Sequence, residues 1–307
     1  MHKVAIVILN YLNYKDTIEC VESIIIDKYQ NKEIVIVDNG SPNESRVKLQ
    51  ERFHTNNGIH LLIHDKNDGF ARGNNIGIRY ATDVLKCEFV LVVNNDTIFK
   101  DPEMITSLMA AYKPGIGVLG PRIVGSDGKE QNPLREFETA KSKLRQNLYY
   151  RRKIANLKLN SKLNFSFKQS KWYQGLKEIN FLKKKKKERQ EILRRSLVSS
   201  SKTSKSLVLH GACFLLTSDY FKYYPFLFPC TFLYYEEDIL TMLTRKVDLL
   251  KSFINTTYIY HKEQQSSNIS FAKDKSGKTK HHIASIEKAK EIYPLDYETI
   301  KKMYFRL

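Results

Sequence analysis

The sequence predicts an α/β fold built on an open, mostly parallel sheet whose site lies at the strand ends. The first observation is a set of unbroken apolar runs, Val4–Leu9, Ile34–Val37 and Phe89–Val93. Runs that do not alternate suit strands buried on both faces, as in the middle of a parallel sheet. The second is that each run breaks into polar or glycine residues before a stretch of helical period. The first hundred residues therefore read β-α-β-α-β-α-β, a pattern of crossover helices between parallel strands.

Taken in order, Val4–Leu9 is closed by Asn10-Tyr11-Leu12-Asn13-Tyr14, and Asp16 or Thr17 can cap the following helix. That helix places Ile18, Val21, Ile24 and Ile25 at helical spacing. Glu33–Val37 ends in Asp38-Asn39-Gly40-Ser41-Pro42, a sharp turn signal. A helix over Glu44–Phe53 and a short strand over Ile59–Ile63 follow. Asn67-Asp68-Gly69-Phe70-Ala71-Arg72-Gly73-Asn74-Asn75-Ile76-Gly77 then feeds a helix to Leu85. Phe89–Val93 is the run around which the chain is organised, because it stops abruptly at Asn94-Asn95-Asp96-Thr97. Polar groups at the carboxyl end of such a strand lie where α/β sheets bind ligands. Asp96 is thereby placed for a hard cation and a diphosphate, although Asn-Asn-Asp-Thr also suits a plain turn.

Downstream, Pro102 opens a helix to Tyr112, and Gly115–Val124 reads as a strand pair around Gly120-Pro121. Regular structure resumes at Leu207–Leu216. The aromatic stretch Phe226–Tyr235 leads to Glu236-Glu237-Asp238 and a helix over Ile239–Arg245, and a last strand over Phe253–Tyr260 ends at His261. A helix is expected over Ile283–Ile292 in a polar tail. The domain reading is 1–265, interrupted by a basic insert at 141–206, with a helical tail over 266–307.

Composition narrows the classes. The chain has 307 residues and 42% hydrophobic content, ordinary for a soluble protein able to bury a full core. No apolar stretch approaches the ~18 residues of a membrane span, and Val4–Leu9 is too short for a signal peptide. Cys20, Cys87, Cys213 and Cys230 are widely separated with no CxxC. That spacing argues against a zinc site and for reduced thiols in the cytoplasm. The net charge of +18 is local. Between Lys141 and Lys205 there are 21 Lys plus Arg against 3 acids, while the remainder balances at 30 and 30. Leu144, Leu148, Ile154 and Leu157 form a ragged helical stripe, Lys183–Lys187 is a lysine run, and Ser196–Ser206 is serine- and lysine-rich, so the insert is expected to be largely helical or disordered.

Asn10-Tyr11, Asp38, Asn94-Asn95-Asp96 and Glu237-Asp238 are all expected at the ends of strands in one sheet. Each alone fits a turn or a surface carboxylate; their order and spacing together resemble the family 2 glycosyltransferases. These are inverting enzymes with the GT-A (nucleotide-diphospho-sugar transferase) fold, and the likeness is to the bacterial rhamnosyltransferase-like branch. The resemblance rests on VAIVILNYLN at 4–13, IVIVDNGSPN at 34–43, NDGFARGNNIG at 67–77, FVLVVNND at 89–96, HGACFLL at 210–216, YYEEDIL at 234–240 and YIYH at 258–261. It covers 1–125 and 207–265, and neither the insert nor the tail.

The resemblance implies a role for each matched residue. Asp38 matches the aspartate that accepts a hydrogen bond from N3–H of uracil or thymine, a task that suits an acceptor-only carboxylate. Asn10 and Tyr11 border the nucleotide, and Gly69, Phe70 and Asn74 match the loop that closes beside the donor. The glycine-rich loop is not a P-loop, since GK[ST] is absent. Asn95 and Asp96 stand at the DxD-like position, with Asp96 as ligand to Mg²⁺ or Mn²⁺ and one carboxylate where two are common. His261 is the implied further metal ligand. Asp238 is the implied base, with Glu237 as runner-up, because an inverting transfer needs a carboxylate to take the acceptor proton. Arg245 is assigned to the nucleotide phosphates. The implied donor is a UDP- or dTDP-sugar and the implied acceptor a lipid-linked saccharide in capsule or surface-polysaccharide synthesis. The processive Q-x-x-R-W motif is missing, since the only tryptophan is Trp172, which points to single addition.

The insert can be a solvated loop or a contact with anionic lipid, each Lys or Arg near such a surface being worth ~1 kcal/mol. The latter makes the protein peripheral on the inner face of the cell membrane. No RNA- or DNA-reading motif accompanies the charges. Two rival readings are a nucleotidyltransferase, which would carry a glycine-rich basic loop where Asn10-Tyr11-Leu12-Asn13 stands, and a non-catalytic basic scaffold binding membrane or nucleic acid.

Overall fold

The computed structural model describes residues 1–137, 199–263 and 277–306, with Leu148, Tyr149 and Arg152. Most of the basic insert, including Lys183–Lys187 and Trp172, lies outside the described residues.

The amino-terminal half alternates strand and helix as expected: β1 (Val4–Asn10), α1 (Tyr14–Ile25), β2 (Lys32–Asn39), α2 (Ser45–Phe53), β3 (Ile59–His64), α3 (Phe70–Arg79) and β4 (Phe89–Asn94). A π-helical turn, Tyr80–Val84, extends α3. There follow β5 (Thr97–Phe99), α4 (Met104–Ala110), β6 (Ile116–Gly125), β7 (Arg135–Glu136), β8 (Lys202–Ser204), β9 (Leu207–Val208), β10 (Cys213–Leu216), α5 (Ser218–Phe221), α6 (Glu236–Lys246), β11 (Leu250–His261), α7 (Gly277–Ile292) and α8 (Tyr297–Tyr304).

Among the described residues, nine strands form the main sheet in the order β3-β2-β1-β4-β10-β6-β11-β5, with β8 added to β11. Pairing is parallel among β3, β2, β1 and β4 and between β6 and β11, and antiparallel at β10. Alternate residues of each apolar run enter opposite cores. Ala5, Val7, Val35, Val37, Val90 and Val92 join one cluster, and Ile6, Ile8, Ile34, Ile36, Leu91 and Val93 the other. This two-sided burial explains the missing alternation in the sequence. Burying each such side chain contributes about 1.5–3 kcal/mol, so the strands are fixed and their polar ends are held still.

Several boundaries differ from the sequence reading. Gly115–Val124 is not a strand pair but one strand, β6, because Pro121 sits opposite Ile254 beside a register shift that tolerates its missing donor. Lys202–Ser204, expected within the insert, pairs with β11 instead. Leu207–Leu216 divides into β9 and β10 around His210-Gly211. Helix α6 begins at Glu236, taking all three acids into its first turn, where the helix dipole favours negative charge. The tail packs on the domain through Ala289, Ile292, Ile300 and Tyr304.

Candidate active site

Register assembles the site. Asn10 pairs with Asp38 across β1 and β2, and Leu9 pairs with Asn94 across β1 and β4. Three carboxyl ends therefore lie side by side. Strand β10 runs the other way, so its start meets the end of β4: Cys213 pairs with Val93, and Asn94 N donates to Ala212 O at 2.9 Å. That places His210-Gly211 beside the Asn94-Asn95-Asp96 turn. Strand β11 ends nearby, with His261 paired to Thr97 on one side and Gly125 on the other.

A buried polar chain ties the first ends together. Asn10 Nδ2 donates to Asp38 Oδ1 at 2.7 Å, and Ser41 Oγ donates to the same oxygen at 2.5 Å. Thr17 Oγ1 donates to Asn10 Oδ1 at 2.7 Å, and Asn95 Nδ2 donates back to Thr17 Oγ1 at 3.0 Å. Asn10, Thr17, Asp38 and Asn95 are all buried, so their donors and acceptors must find partners within the protein. Asn95 thus acts on α1 and holds the turn, while Asp96 is turned toward β11. Tyr11 lies half-buried beyond the end of β1.

Asp96 Oδ1 is 3.3 Å from His261 Nε2, and both residues are buried. Lys262 N donates to Asp96 O at 2.9 Å. Among the described residues no third His, Cys, Asp or Glu completes a metal cage. The Asp96 carboxylate suits Mg²⁺ or Mn²⁺, the added imidazole favours Mn²⁺, and such ions need only one or two protein ligands where substrate phosphates supply the rest. His210 lies edge-on to His261 with ring centroids 5.5 Å apart.

The acidic triplet divides by direction. Glu236 accepts from Thr231 Oγ1 at 3.0 Å and borders Ala71, Leu227, Phe228, Ile239, Leu240 and Leu243. That apolar lining, helped by the Glu237 charge, pushes its carboxyl up to about 8. Glu237 Oε1 accepts from Gly211 N at 3.3 Å, which turns it toward the His210 side. Burial raises the Glu237 pKa and the Asp238 charge adds to it, against Arg135. Asp238 is paired with Arg135. Burial opposes the Arg135 charge, but Asp238 outweighs it and holds the guanidinium pKa above its ordinary value. Tyr234 and Tyr235, which deliver the chain into α6, both have φ of 75°, a left-handed pair that nothing in the sequence marks.

The glycine-rich loop closes against this segment. Gly69 has φ 83°, and a Cβ there would collide with Phe232 O. Phe70 N donates to that same oxygen at 2.8 Å. Asn74 Nδ2 donates to Phe70 O at 2.9 Å. Asn75, which sequence reasoning passed over, exchanges two hydrogen bonds with the Leu227 backbone, at 2.7 and 3.0 Å.

Arg245 stands apart from these residues. It is seven residues beyond Asp238, roughly 10 Å by helix rise, with Nη1 3.2 Å from Ser206 Oγ and the guanidinium over the Phe137 ring. Sequence reasoning also missed Thr17, Ser41, Gln131 and Arg135. Ser41 was detectable, since its turn places it three residues after Asp38; Gln131 and Arg135 carry no local signal and are brought in by tertiary pairing alone.

Known proteins share this architecture. The mannosyltransferase PcManGT of Pyrobaculum calidifontis, solved with GDP-Man and Mn²⁺, superposes with a TM-score of 0.51 at 10% identity, over 99% of this chain and 73% of that one. The likeness shows a GT-A-like mixed α/β fold. Glycosyltransferase GlyG of Streptococcus pneumoniae is 33% identical over 105 residues, covering 34% of this chain and 33% of the relative. The low-salt glycan biosynthesis hexosyltransferase Agl10 of Haloferax volcanii is 29% identical over 124 residues, covering 40% and 38%. The matches thus span little more than a third of the length of these relatives. The model of the family "Glycosyl transferase family 2" matches residues 4–171, more than half of the chain, and the chain belongs to that family.

Proposed function

We propose that this protein transfers one sugar from a UDP- or dTDP-sugar to a hydroxyl of a saccharide acceptor, with inversion and with a divalent cation. The observation that carries the reading is convergence: Asp38 lies at the carboxyl end of β2 and Asp96 just beyond that of β4, on either side of β1, His261 meets Asp96 from the end of β11, and Glu237 reaches Gly211 beside the end of β4. Asp38 and Asn10 would hold the base, and the Gly69–Asn74 loop would close over the donor. Asp96 and His261 would hold the cation, which supplies charge neutralisation for the departing diphosphate.

We assign the base to Glu237 ahead of Asp238. Asp238 is engaged by Arg135, whereas the raised pKa of Glu237 makes it the stronger proton acceptor once ionised. The acceptor O–H proton passes to the Glu237 carboxylate as the oxygen bonds to the anomeric carbon. The bond from that carbon to the diphosphate breaks, and its electron pair leaves with the nucleoside diphosphate. Asp238 and Arg135 fix the first turn of α6. A lipid-linked acceptor in surface-polysaccharide synthesis, and peripheral attachment through 141–205, remain part of the proposal. They are supported by the +18 charge confined to that stretch.

A panel of nucleotide sugars assayed with Mn²⁺ for hydrolysis and transfer tests the reading. Glu237→Gln should lower turnover by ~10²–10⁴-fold while nucleotide binding survives. Asp238→Asn should disturb turnover less, and the reverse ranking would return the base to Asp238.

A further inference from the structure

We infer that Glu263 and Gln131 are positioning residues that fix the tautomer of His261, so that its Nε2 presents a lone pair beside Asp96. The inference rests on the proposal that Asp96 and His261 hold a divalent cation. It concerns how this chain prepares one of those ligands.

The chemistry runs in one direction from Glu263. An ionised carboxylate can only accept hydrogen bonds, and Gln131 Nε2 donates to Glu263 Oε1. The orientation of the Gln131 amide follows from that contact, since the reverse would set two oxygens against each other. Gln131 Oε1 is therefore the atom that lies 2.8 Å from His261 Nδ1. A carbonyl oxygen has no proton to give, so His261 Nδ1 carries the hydrogen and donates. A histidine binds a cation as the neutral imidazole, and with Nδ1 holding the hydrogen the other nitrogen is the one left to bind. That nitrogen, Nε2, faces Asp96 Oδ1 at 3.3 Å. Two electron-pair donors side by side suit a cation, and a histidine ligand held through its second nitrogen is the usual arrangement at metal sites.

Three features of the backbone serve this contact. Gly125 pairs with His261 in the ladder, and a Cβ there would collide with both Gln131 Nε2 and Glu263 Oε1. Its backbone is not left-handed, so what glycine supplies here is the space in which Gln131 and Glu263 meet. Glu263 itself has φ of 68°, a conformation that an L residue keeps only where its surroundings hold it. The hairpin after β6 closes through Gly125 N to Lys129 O at 2.9 Å and Gln131 N to Ile123 O at 2.7 Å. This returns Gln131 to the strand end it left. The neighbouring Asn132 continues the pattern, since its Oδ1 accepts from His210 N at 2.9 Å.

The test measures Mn²⁺ affinity by electron paramagnetic resonance in the presence of UDP, with ¹⁵N-histidine NMR of the metal-free protein at pH 8. His261 in the wild type should show a protonated Nδ1. Gln131→Met should weaken Mn²⁺ binding by ~10–100-fold and release the tautomer, and Gly125→Ala should act in the same direction by separating Gln131 from Glu263. Gln131→Glu alone should weaken binding by setting two carboxylates together. Adding Glu263→Gln should restore it, because the donor and acceptor have merely changed places. Unchanged Mn²⁺ affinity in Gln131→Met, an unprotonated His261 Nδ1 in the wild type, or no rescue by the double exchange overturns the inference. His261→Ala separates the two levels. If it leaves Mn²⁺ binding intact, the metal reading itself fails; if it abolishes binding while Gln131→Met does not, only the positioning role fails.

Discussion

Replacing Glu236 by Gln should make the protein more resistant to unfolding at high pH and change it little at low pH. Glu236 is the acid of the triplet that faces apolar side chains, and its carboxyl is pushed from 4.5 up to about 8. Between those values the folded state holds a proton that the unfolded chain has released, so stability falls as pH rises through that window. Below 4.5 both states are protonated, and above about 8 both are ionised, so the loss has a beginning and an end. At about 1.4 kcal/mol per pH unit, the gap between 4.5 and about 8 caps the loss at roughly 5 kcal/mol. Partial solvent contact and the Thr231 hydrogen bond reduce this, and the expected range is ~2–4 kcal/mol. Glutamine keeps an oxygen for Thr231 and has nothing to ionise. Urea denaturation of both proteins from pH 5 to pH 9 reads the effect directly. The curves should meet at the acid end and diverge in favour of the variant toward pH 9. Parallel curves would refute the argument, because they would mean that Glu236 is charged across the whole range.

Asp96→Ala should remove the cation dependence of UDP or dTDP binding, measured by calorimetry with and without Mn²⁺, and equal affinities in wild type and variant would count against the ligand role. Gly69→Ala should destabilise by ~2–4 kcal/mol in urea melts, from backbone strain at φ 83° and loss of the Phe70–Phe232 hydrogen bond. A near-neutral result would mean that the loop can leave Phe232 freely. Turnover should fall as pH drops through the raised pKa of Glu237, and Glu237→Gln should abolish that limb of the profile. Co-sedimentation of the full chain with liposomes should require anionic lipid and weaken with salt; insensitivity to both would reject membrane contact through 141–205.

The strands were legible because burial on two faces leaves a mark in composition. Val4–Leu9 and Phe89–Val93 have no polar position to spare, and the structure sends their alternate side chains into two separate cores. The helix after β3 was legible in position and not in detail, since its last turn opens into a π-helix at Tyr80–Val84. Pro121 misled the reading of 115–124. It lies in a continuous strand beside a register shift, and only the pairing partner reveals that shift.

The site divides along the same line. Asp38 and His261 lie at strand ends and Asp96 in the turn that follows one, so their place follows once the strands are known. Gln131 and Arg135 belong to a segment with no periodicity, yet that segment reaches His261 through one residue and Asp238 through the other. The acidic triplet shows the limit most clearly. Three adjacent carboxylates are equivalent in sequence, but a helix turns successive residues by about 100°. Glu236 is therefore sent into apolar lining, Glu237 toward Gly211 and Asp238 onto Arg135. Three environments follow: an acid pushed up to about 8, an acid turned to the His210 edge with a raised pKa, and an acid held in an ion pair. A one-residue shift in where α6 begins would exchange all three. The left-handed pair Tyr234 and Tyr235 sets that starting point, so which acid meets which surroundings depends on two aromatic residues at the entrance to the helix.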